Sequence, residues 1–237
     1  MKKINYCIIL FIGAGLLACS SYSVQDHNYK LIAVKGSSTE NDKLGKLIKP
    51  YSDSLAIEMN QIIAYADTSF IPERPCGNLN NWYASAVLVN QTKTVRLAIP
   101  AICLLNFGGI RSTINKGDVK MGDIFKIAPF DNMVVWVKMP VTVLPEIAEY
   151  LMKSGGEPIA GAILEDGQLK IPGLTEETKE IIIITSDYLA NGGDKMYFFQ
   201  KATDISNTGK LMRDCLIEEA KVQVNLNSDH QSRIILE

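Results

Sequence analysis

The chain has 237 residues, with 24 basic and 26 acidic side chains and a formal net charge of −2 at pH 7. No basic stripe stands out, so the sequence offers no electrostatic basis for nucleic-acid binding. The chain has two histidines, His27 and His230, one towards each end. Zinc enzymes, two-metal phosphoesterases and Ser-His-Asp hydrolases depend on well-placed histidines, so we do not expect self-contained hydrolytic chemistry of these kinds.

The N-terminus has the features of a secretory signal. Lys2 and Lys3 precede a short apolar run, Ile8–Leu17, which is shorter than a comfortable membrane span. The run ends in Leu-Leu-Ala before Cys19, which resembles the bacterial lipoprotein signal, in which the cysteine is lipidated and becomes the first residue. We therefore predict a signal peptide at residues 1–18 and a lipid anchor in the bacterial cell envelope, with the outer membrane favoured. Ordinary cleavage, with the cysteine incidental, is the alternative.

The remaining sequence predicts one domain behind a tether. Residues 19–38 are polar and weakly patterned, as in flexible linkers. Residues 39–237 have a length that suits a single domain. They contain Cys76, Cys103 and Cys215, an odd number that allows at most one disulfide and one free thiol. Cys103 stands in an apolar run and is expected to be buried.

Apolar residues that recur at three- and four-residue intervals predict helices in this domain. The first helix has an apolar face but contains Pro50, so we expect a kink or a break there. Trp82 and Tyr83 fall in the second helix and are assigned to the core. Gly155 and Gly156 end the third helix. The predicted helices cover residues 42–62, 79–87, 143–152 and 210–220, with a short turn or helix at 122–127.

Apolar and β-branched runs predict the strands. The four isoleucines of Ile181–Ile184 favour a buried central strand, because β-branched residues are good strand formers. Glu165-Asp166-Gly167 is a strong hairpin signal between two short strands. Further strands are expected at residues 101–105 and 133–139, with a last edge strand at 233–236. Helices interspersed with strands indicate an α+β (mixed α/β) fold, a mixed β-sheet flanked by helices.

Three polar segments stand at the ends of these predicted strands. Paired glycines such as Gly192 and Gly193 allow positive φ and close approach of the backbone to a ligand. The sequence after the isoleucine strand also supplies an aromatic ring and a carboxylate. The segments are NFGGIR at Asn106–Arg111, PFDN at Pro129–Asn132 and DYLANGGD at Asp187–Asp194.

Together these segments contain the groups that a nucleoside site needs. Phe130 and Tyr188 supply two rings for stacking, Arg111 supplies a planar guanidinium, and Asp194 supplies a carboxylate for hydroxyl groups. Taken singly, each side chain is as well explained by a structural role, such as a salt bridge, a core ring or a turn. The pattern alone does not place them on one side of the molecule.

In this order and at these spacings, GGIR, a Gly-Asp pair, PFDN and a strand running into DYLANGGD resemble the C-terminal domain of the bacterial 5′-nucleotidase family. The resemblance covers the chain from about Asp42 to its end and implies the fold of that domain, which is the family's substrate-recognition half. It implies that Phe130 and Tyr188 sandwich the base and that Asp194 binds the ribose.

The resemblance also implies roles for residues around these three. Arg111 and Asn106 line the same pocket, and Arg74 is the nearest candidate for the arginines that the family carries ahead of GGIR. Tyr188 stands where phenylalanine is common, which preserves stacking and adds a hydroxyl. Asp131 stands where glycine is common, which makes that turn less adaptable.

The signatures of the family's metallophosphatase half (D-x-H, GD-x-x-D and GNH) cannot be read in this sequence. The resemblance therefore implies a nucleotide- or nucleoside-recognition domain, with an adenine-type base favoured, that works with a separate metallophosphatase chain. Divalent metals and catalytic residues are expected in that partner. We expect this chain to contain no metal, no cofactor and no catalytic residue. The alternatives are a stand-alone nucleoside- or nucleotide-binding surface lipoprotein and a degenerate scaffold without a ligand.

Overall fold

The computed structural model describes residues 43–95 and 97–236. The chain divides into two compact units, 1–47 and 48–237, and of the first unit only residues 43–47 are described. The predicted signal peptide, the lipidated Cys19 and the tether at 19–38 therefore lie outside the described residues, and these assignments stay predictions. In the part that is described, no helix is both long and apolar enough to cross a membrane.

Helices and strands alternate along the described chain. The helices are α1 (Lys43–Met59), α2 (Asn78–Thr92), α3 (Met121–Ile127), α4 (Leu144–Ser154), α5 (Asp187–Ala190) and α6 (Met212–Gln223). The strands are β1 (Ile62–Ala66), β2 (Ala101–Leu104), β3 (Gly117–Lys120), β4 (Met133–Pro140), β5 (Ile159–Ala160), β6 (Ile163–Glu165), β7 (Gln168–Lys170), β8 (Glu180–Ser186) and β9 (Asp204–Leu211).

A five-stranded mixed sheet, in the order β5-β2-β8-β4-β9, organises residues 48–236. β2 runs parallel to β8, and the other neighbours pair antiparallel. Side chains of β8 alternate between the two faces, as the period of a strand requires. Ile184 packs with α2 and α6, whereas Ile181 and Ile183 pack with α4 on the other face. The predicted α+β fold and its central isoleucine strand are confirmed.

The ends of three strands meet at one edge of this sheet. Because β2 and β8 are parallel, the segments that follow Leu104 and Ser186 leave the sheet at the same edge. β4 is antiparallel to β8 and places Val134 opposite Ser186, so the segment before β4 reaches that edge as well. The sheet topology therefore brings together the three polar segments that the sequence singles out.

Several local predictions are confirmed. Trp82 and Tyr83 are buried in the core. Gly155 ends α4 in the left-handed conformation, with φ 79°. The turn between β6 and β7 has positive φ at both Asp166 and Gly167, as a two-residue hairpin requires. Cys103 is buried, as expected, and Cys76, Cys103 and Cys215 are all free, so the one disulfide that the count allows is not formed.

The N-terminal half of the domain differs from prediction in two places. Of the kink or break expected at Pro50, the break does not occur: α1 continues through the proline, which removes one backbone hydrogen bond while the turns on either side continue the helix. Ile62 begins β1 instead of ending that helix. Gly117 and Asp118, for which no element was predicted, belong to β3, which pairs antiparallel with β1.

The C-terminal part differs in two further places. The segment Asp204–Leu211 forms the edge strand β9, which the sequence did not predict because its side chains are mostly polar and exposed. Helix α6 therefore begins at Met212 instead of residue 210, and Leu211 is the last residue of β9. The predicted edge strand at residues 233–236 is reduced to one bridge, between Leu164 and Ile234.

Candidate functional site

A cavity of about 390 Å³ opens where the three polar segments meet. Small-ligand sites occupy about 300–1,000 Å³, so the size is suitable. Of the residues predicted for the site, the structure brings together Asn106, Arg111, Phe130, Tyr188 and Asp194. The complete lining is Asn106, Gly108, Gly109, Arg111, Phe130, Asn132, Tyr188 and Asp194.

The two aromatic rings of the cavity are unusually accessible. Phe130 is 46% exposed and Tyr188 is 47% exposed, so each ring leaves surface for a ligand. The guanidinium of Arg111 lies 5.8 Å from the centre of the Phe130 ring. Its hydrogen-bond partner is the carbonyl of Gly108, at a long 3.4 Å, and no second partner occurs among the residues that the structure describes. Most of the donors of Arg111 therefore remain available to a ligand.

The carboxylate of Asp194 is held from two sides. Tyr188 Oη donates to Asp194 Oδ1 at 2.8 Å, and Asn106 Nδ2 donates to Asp194 Oδ2 at 2.6 Å. The hydrogen bond to Asp194 raises the pKa of the Tyr188 phenol, because it stabilises the protonated form. Each carboxylate oxygen can accept a further hydrogen bond. The group is thus fixed in place and still able to accept from the hydroxyls of a sugar.

The backbone that carries this carboxylate is left-handed. Asp194 has φ 51° and Lys195 has φ 64°. This conformation costs an L-residue about 1–2 kcal/mol. Four hydrogen bonds offset that cost: the two to the carboxylate, one from the Asp194 backbone N–H to Tyr188 Oη at 3.3 Å, and one from Tyr150 Oη to the backbone carbonyl of Asp194 at 3.0 Å.

Gly192 and Gly193 do not line the cavity, and their role is to permit this turn. Gly192 has φ 87°. A Cβ on Gly193 would lie 2.5 Å from the Tyr188 ring and 2.6 Å from the Tyr188 carbonyl oxygen. Any side chain at this position would displace the ring. The sequence predicts that the backbone at these glycines approaches a ligand closely. In the structure, the backbone of Gly193 approaches the ring of Tyr188 instead.

Arg74 lies behind the cavity wall, outside the lining. Its Nη2 donates to Glu157 Oε1 at 3.1 Å, and its guanidinium lies 4.8 Å from the centre of the Phe107 ring. Glu157 is buried, and its Oε2 accepts the backbone N–H of Phe107 at 2.6 Å. Arg74 and Glu157 thus hold the segment that carries Asn106. The structure gives Arg74 a supporting place in the site, because its guanidinium is already engaged with this carboxylate.

The segment that carries Phe130 is held by a buried arginine. Arg213 Nη2 donates to Asp131 Oδ1 at 2.7 Å, and Nη1 donates to the carbonyl of Ala128 at 3.3 Å. The guanidinium also lies 4.3 Å from the centre of the Phe125 ring. These contacts explain why an aspartate occupies the turn position next to Phe130.

Comparison with known proteins gives the site a family context. Residues 62–147 match the model of the 5′-nucleotidase, C-terminal domain. This range contains Asn106, Arg111 and Phe130, which come from two of the three segments at the cavity. The matched segment belongs to the 5′-nucleotidase C-terminal domain family.

Relatives extend the similarity beyond the matched segment. A 5′-nucleotidase of Vibrio parahaemolyticus is 20% identical over 84% of this chain, which spans 38% of that protein. The trifunctional nucleotide phosphoesterase protein YfkN of Bacillus subtilis is 26% identical over 44% of the chain, which spans 7% of that protein. The crystal structure of a 5′-nucleotidase precursor from Thermus thermophilus superposes with a TM-score of 0.63 at 18% identity, covering 81% of this chain and 42% of that one. The chain thus shares the fold but spans less than half of these proteins.

The structure adds site residues that the sequence does not predict. Asn132 lines the cavity, and its place in the PFDN segment is a usable signal. Tyr150 and Glu157 support the lining from α4 and from the loop after it. No local pattern marks these two, because each acts on a segment far away in sequence.

Proposed function

We propose that this chain is the nucleotide- or nucleoside-recognition component of a 5′-nucleotidase-type phosphohydrolase. One observation carries the proposal: two half-exposed rings, an available guanidinium and a fixed carboxylate share one cavity. In the proposed complex the base stacks on Phe130 and Tyr188, and Asp194 accepts hydrogen bonds from the ribose. Arg111 contacts the base or the phosphate. An adenine-type base is the favoured ligand.

The rings set a scale for affinity. Stacking on an aromatic side chain contributes about 1–3 kcal/mol per base, so two rings contribute roughly 2–6 kcal/mol before the costs of association. This corresponds to dissociation constants from about tens of millimolar to about tens of micromolar. Such affinity suits a module that selects a substrate for a catalytic partner.

We assign phosphate cleavage to a metallophosphatase on a separate chain. Within residues 43–95 and 97–236, no three His, Cys, Asp or Glu side chains are grouped as a metal site requires. We therefore assign no metal-dependent step of the reaction to this chain. Divalent metals and the attacking water belong to the proposed partner, and lipidation at Cys19 would keep the recognition domain at the cell envelope.

Titration with adenosine and with AMP tests recognition directly. We expect calorimetry to detect both ligands and Phe130→Ala to weaken binding by about tenfold, the loss of one stacking contact. Tyr188→Ala should weaken binding by more than this, because it also removes the hydrogen bond to Asp194. Tyr51→Ala is the matched control, because Tyr51 is an exposed ring on α1 outside the cavity lining. Absence of binding at millimolar ligand, or equal effects of all three substitutions, would contradict the proposal.

An activity assay tests the division of labour. The chain alone should show no metal-dependent phosphatase activity, and AMP hydrolysis should appear when it is mixed with a metallophosphatase chain. If the mixture stays inactive on AMP while the metallophosphatase hydrolyses other phosphate esters, the two-chain proposal fails.

A stand-alone nucleoside-binding lipoprotein is the second candidate. It is favoured by the composition of the cavity, in which Phe130, Tyr188, Arg111 and Asp194 already supply groups for a base and a sugar. Binding of adenosine well below the micromolar range without any partner would support this candidate, because two stacked rings do not reach that affinity by themselves.

A further inference from the structure

We infer that Tyr150 on α4 is a positioning residue that sets the Asp194 carboxylate for the sugar hydroxyls; this inference rests on the proposed function of the cavity. Tyr150 Oη donates to the backbone carbonyl of Asp194 at 3.0 Å, a bond that joins residues 44 positions apart. Tyr150 does not belong to the cavity lining. It therefore acts on the ligand through Asp194.

The bond matters because of the backbone that it holds. Asp194 and the following Lys195 are both left-handed, a conformation that persists only where surrounding contacts impose it. Tyr188 and Asn106 hold the carboxylate, and Tyr150 supplies the hydrogen bond to the backbone carbonyl. Without that bond the backbone of Asp194 keeps only the weaker contact of its N–H with Tyr188 Oη, at 3.3 Å. It can then relax towards negative φ, which moves the carboxylate away from the cavity.

The donor itself is well fixed. The Tyr150 ring meets the buried Phe198 ring edge-on, with centres 5.6 Å apart and an interplanar angle of 72°. Burial raises the pKa of Tyr150 to about 12, and the negative charges of Glu157 and Asp194 add to this effect. The positive charge of Arg74 acts in the opposite direction and lowers the pKa. The phenol stays protonated, and a donor, throughout the neutral range.

The position of Tyr150 also connects two supports of the cavity. Glu157, whose charge acts on Tyr150, holds the backbone of Phe107 next to Asn106. Asn106 in turn donates to Asp194. Tyr150 and Asn106 thus both hydrogen-bond to Asp194. Loss of the Tyr150 hydroxyl should therefore weaken the binding of the sugar hydroxyls and leave the stacking of the base unchanged.

A pair of ligands separates this role from a general structural one. Tyr150→Phe keeps the ring against Phe198 and removes only the hydroxyl. We expect it to weaken adenosine binding about fivefold, the effect of one lost hydrogen bond, and to leave 2′,3′-dideoxyadenosine binding unchanged. Tyr197→Phe is the control, because Tyr197 is exposed and its hydroxyl has no hydrogen-bond partner in the described part of the chain.

The outcomes are distinct. Equal weakening for both nucleosides, or adenosine binding as tight as in the wild type, would overturn the role of Tyr150. If the wild-type chain binds neither nucleoside, the proposed function itself fails. Amide hydrogen exchange at residues 193–196 gives a readout without ligand: exchange should be faster in Tyr150→Phe than in Tyr197→Phe, and unchanged exchange would also overturn the inference.

Discussion

The phenol oxygen of Tyr188 lies 2.8 Å from Oδ1 of Asp194, so a ring and a carboxylate of the cavity form one hydrogen-bonded unit. Tyr188→Phe keeps the ring and removes this bond, and we expect adenosine binding to weaken by about 0.5–1.5 kcal/mol. Tyr188→Ala also removes the ring, and the total loss should exceed that of Tyr188→Phe by about 1–3 kcal/mol. Calorimetry checks the order, and equal losses in the two variants would contradict it.

The same unit predicts a change in titration. Because the hydrogen bond to Asp194 raises the pKa of Tyr188, Asp194→Asn should lower that pKa towards the ordinary value of a tyrosine. NMR titration with labelled tyrosine, assigned by comparison with Tyr188→Phe, measures the shift. Asp53→Asn is the control, because Asp53 pairs with Lys49 on α1 and has no contact with Tyr188. A pKa of Tyr188 that is unchanged or higher in Asp194→Asn would contradict the assignment.

Glu157, which lies outside the cavity lining, should contribute to the stability of the fold. Glu157→Ala leaves the backbone N–H of Phe107 without its acceptor, so the free energy of unfolding should fall by about 1–3 kcal/mol. Nucleoside binding should weaken as well, since Asn106 precedes Phe107. Denaturant unfolding measures the first effect. Glu146→Ala is the control, an exposed ion pair with Lys201 that should contribute less than about 1 kcal/mol.

The Asp131–Arg213 pair predicts a smaller effect. Asp131 is well exposed and Arg213 is buried, so solvent screens one end of the pair. Asp131→Gly should lower the free energy of unfolding by about 1 kcal/mol and weaken adenosine binding, because the guanidinium then holds the Phe130 segment through Ala128 alone. Asp118→Ala, at an exposed aspartate of β3 outside the cavity lining, should change neither property.

The thiols should differ in reactivity. Burial raises the pKa of Cys103 above its ordinary range and that of Cys215 to about 11, whereas Cys76 is partly exposed. The thiolate is the reactive form, so iodoacetamide at pH 8 should alkylate Cys76 in the native chain and spare the other two until unfolding. Peptide mass spectrometry resolves the three sites, and early labelling of Cys103 would contradict the burial.

The sequence predicts those elements whose pattern is local. The isoleucines of β8 and the Asp166-Gly167 turn follow from single-residue preferences and are found as predicted. The exposed strand β9 carries no apolar alternation, and only its pairing with β4 makes it a strand. The residue types single out Arg111, Phe130, Tyr188 and Asp194, but only the family resemblance implies that they share a pocket, because no periodicity places separate loops on one side of a molecule. Tyr150 and Glu157 contact segments that are distant in sequence, so no local sequence pattern predicts their roles.

The parallel pairing of β2 with β8 has a consequence for screening. The segments around residues 106, 130 and 194 can form a cavity only after these strands and β4 have paired in register, so the denatured chain has no site. A ligand that binds the native state alone stabilises it by mass action. The melting temperature of the chain should therefore rise with nucleoside concentration, and a thermal-shift series over the common bases would rank their affinities without an activity assay or a partner.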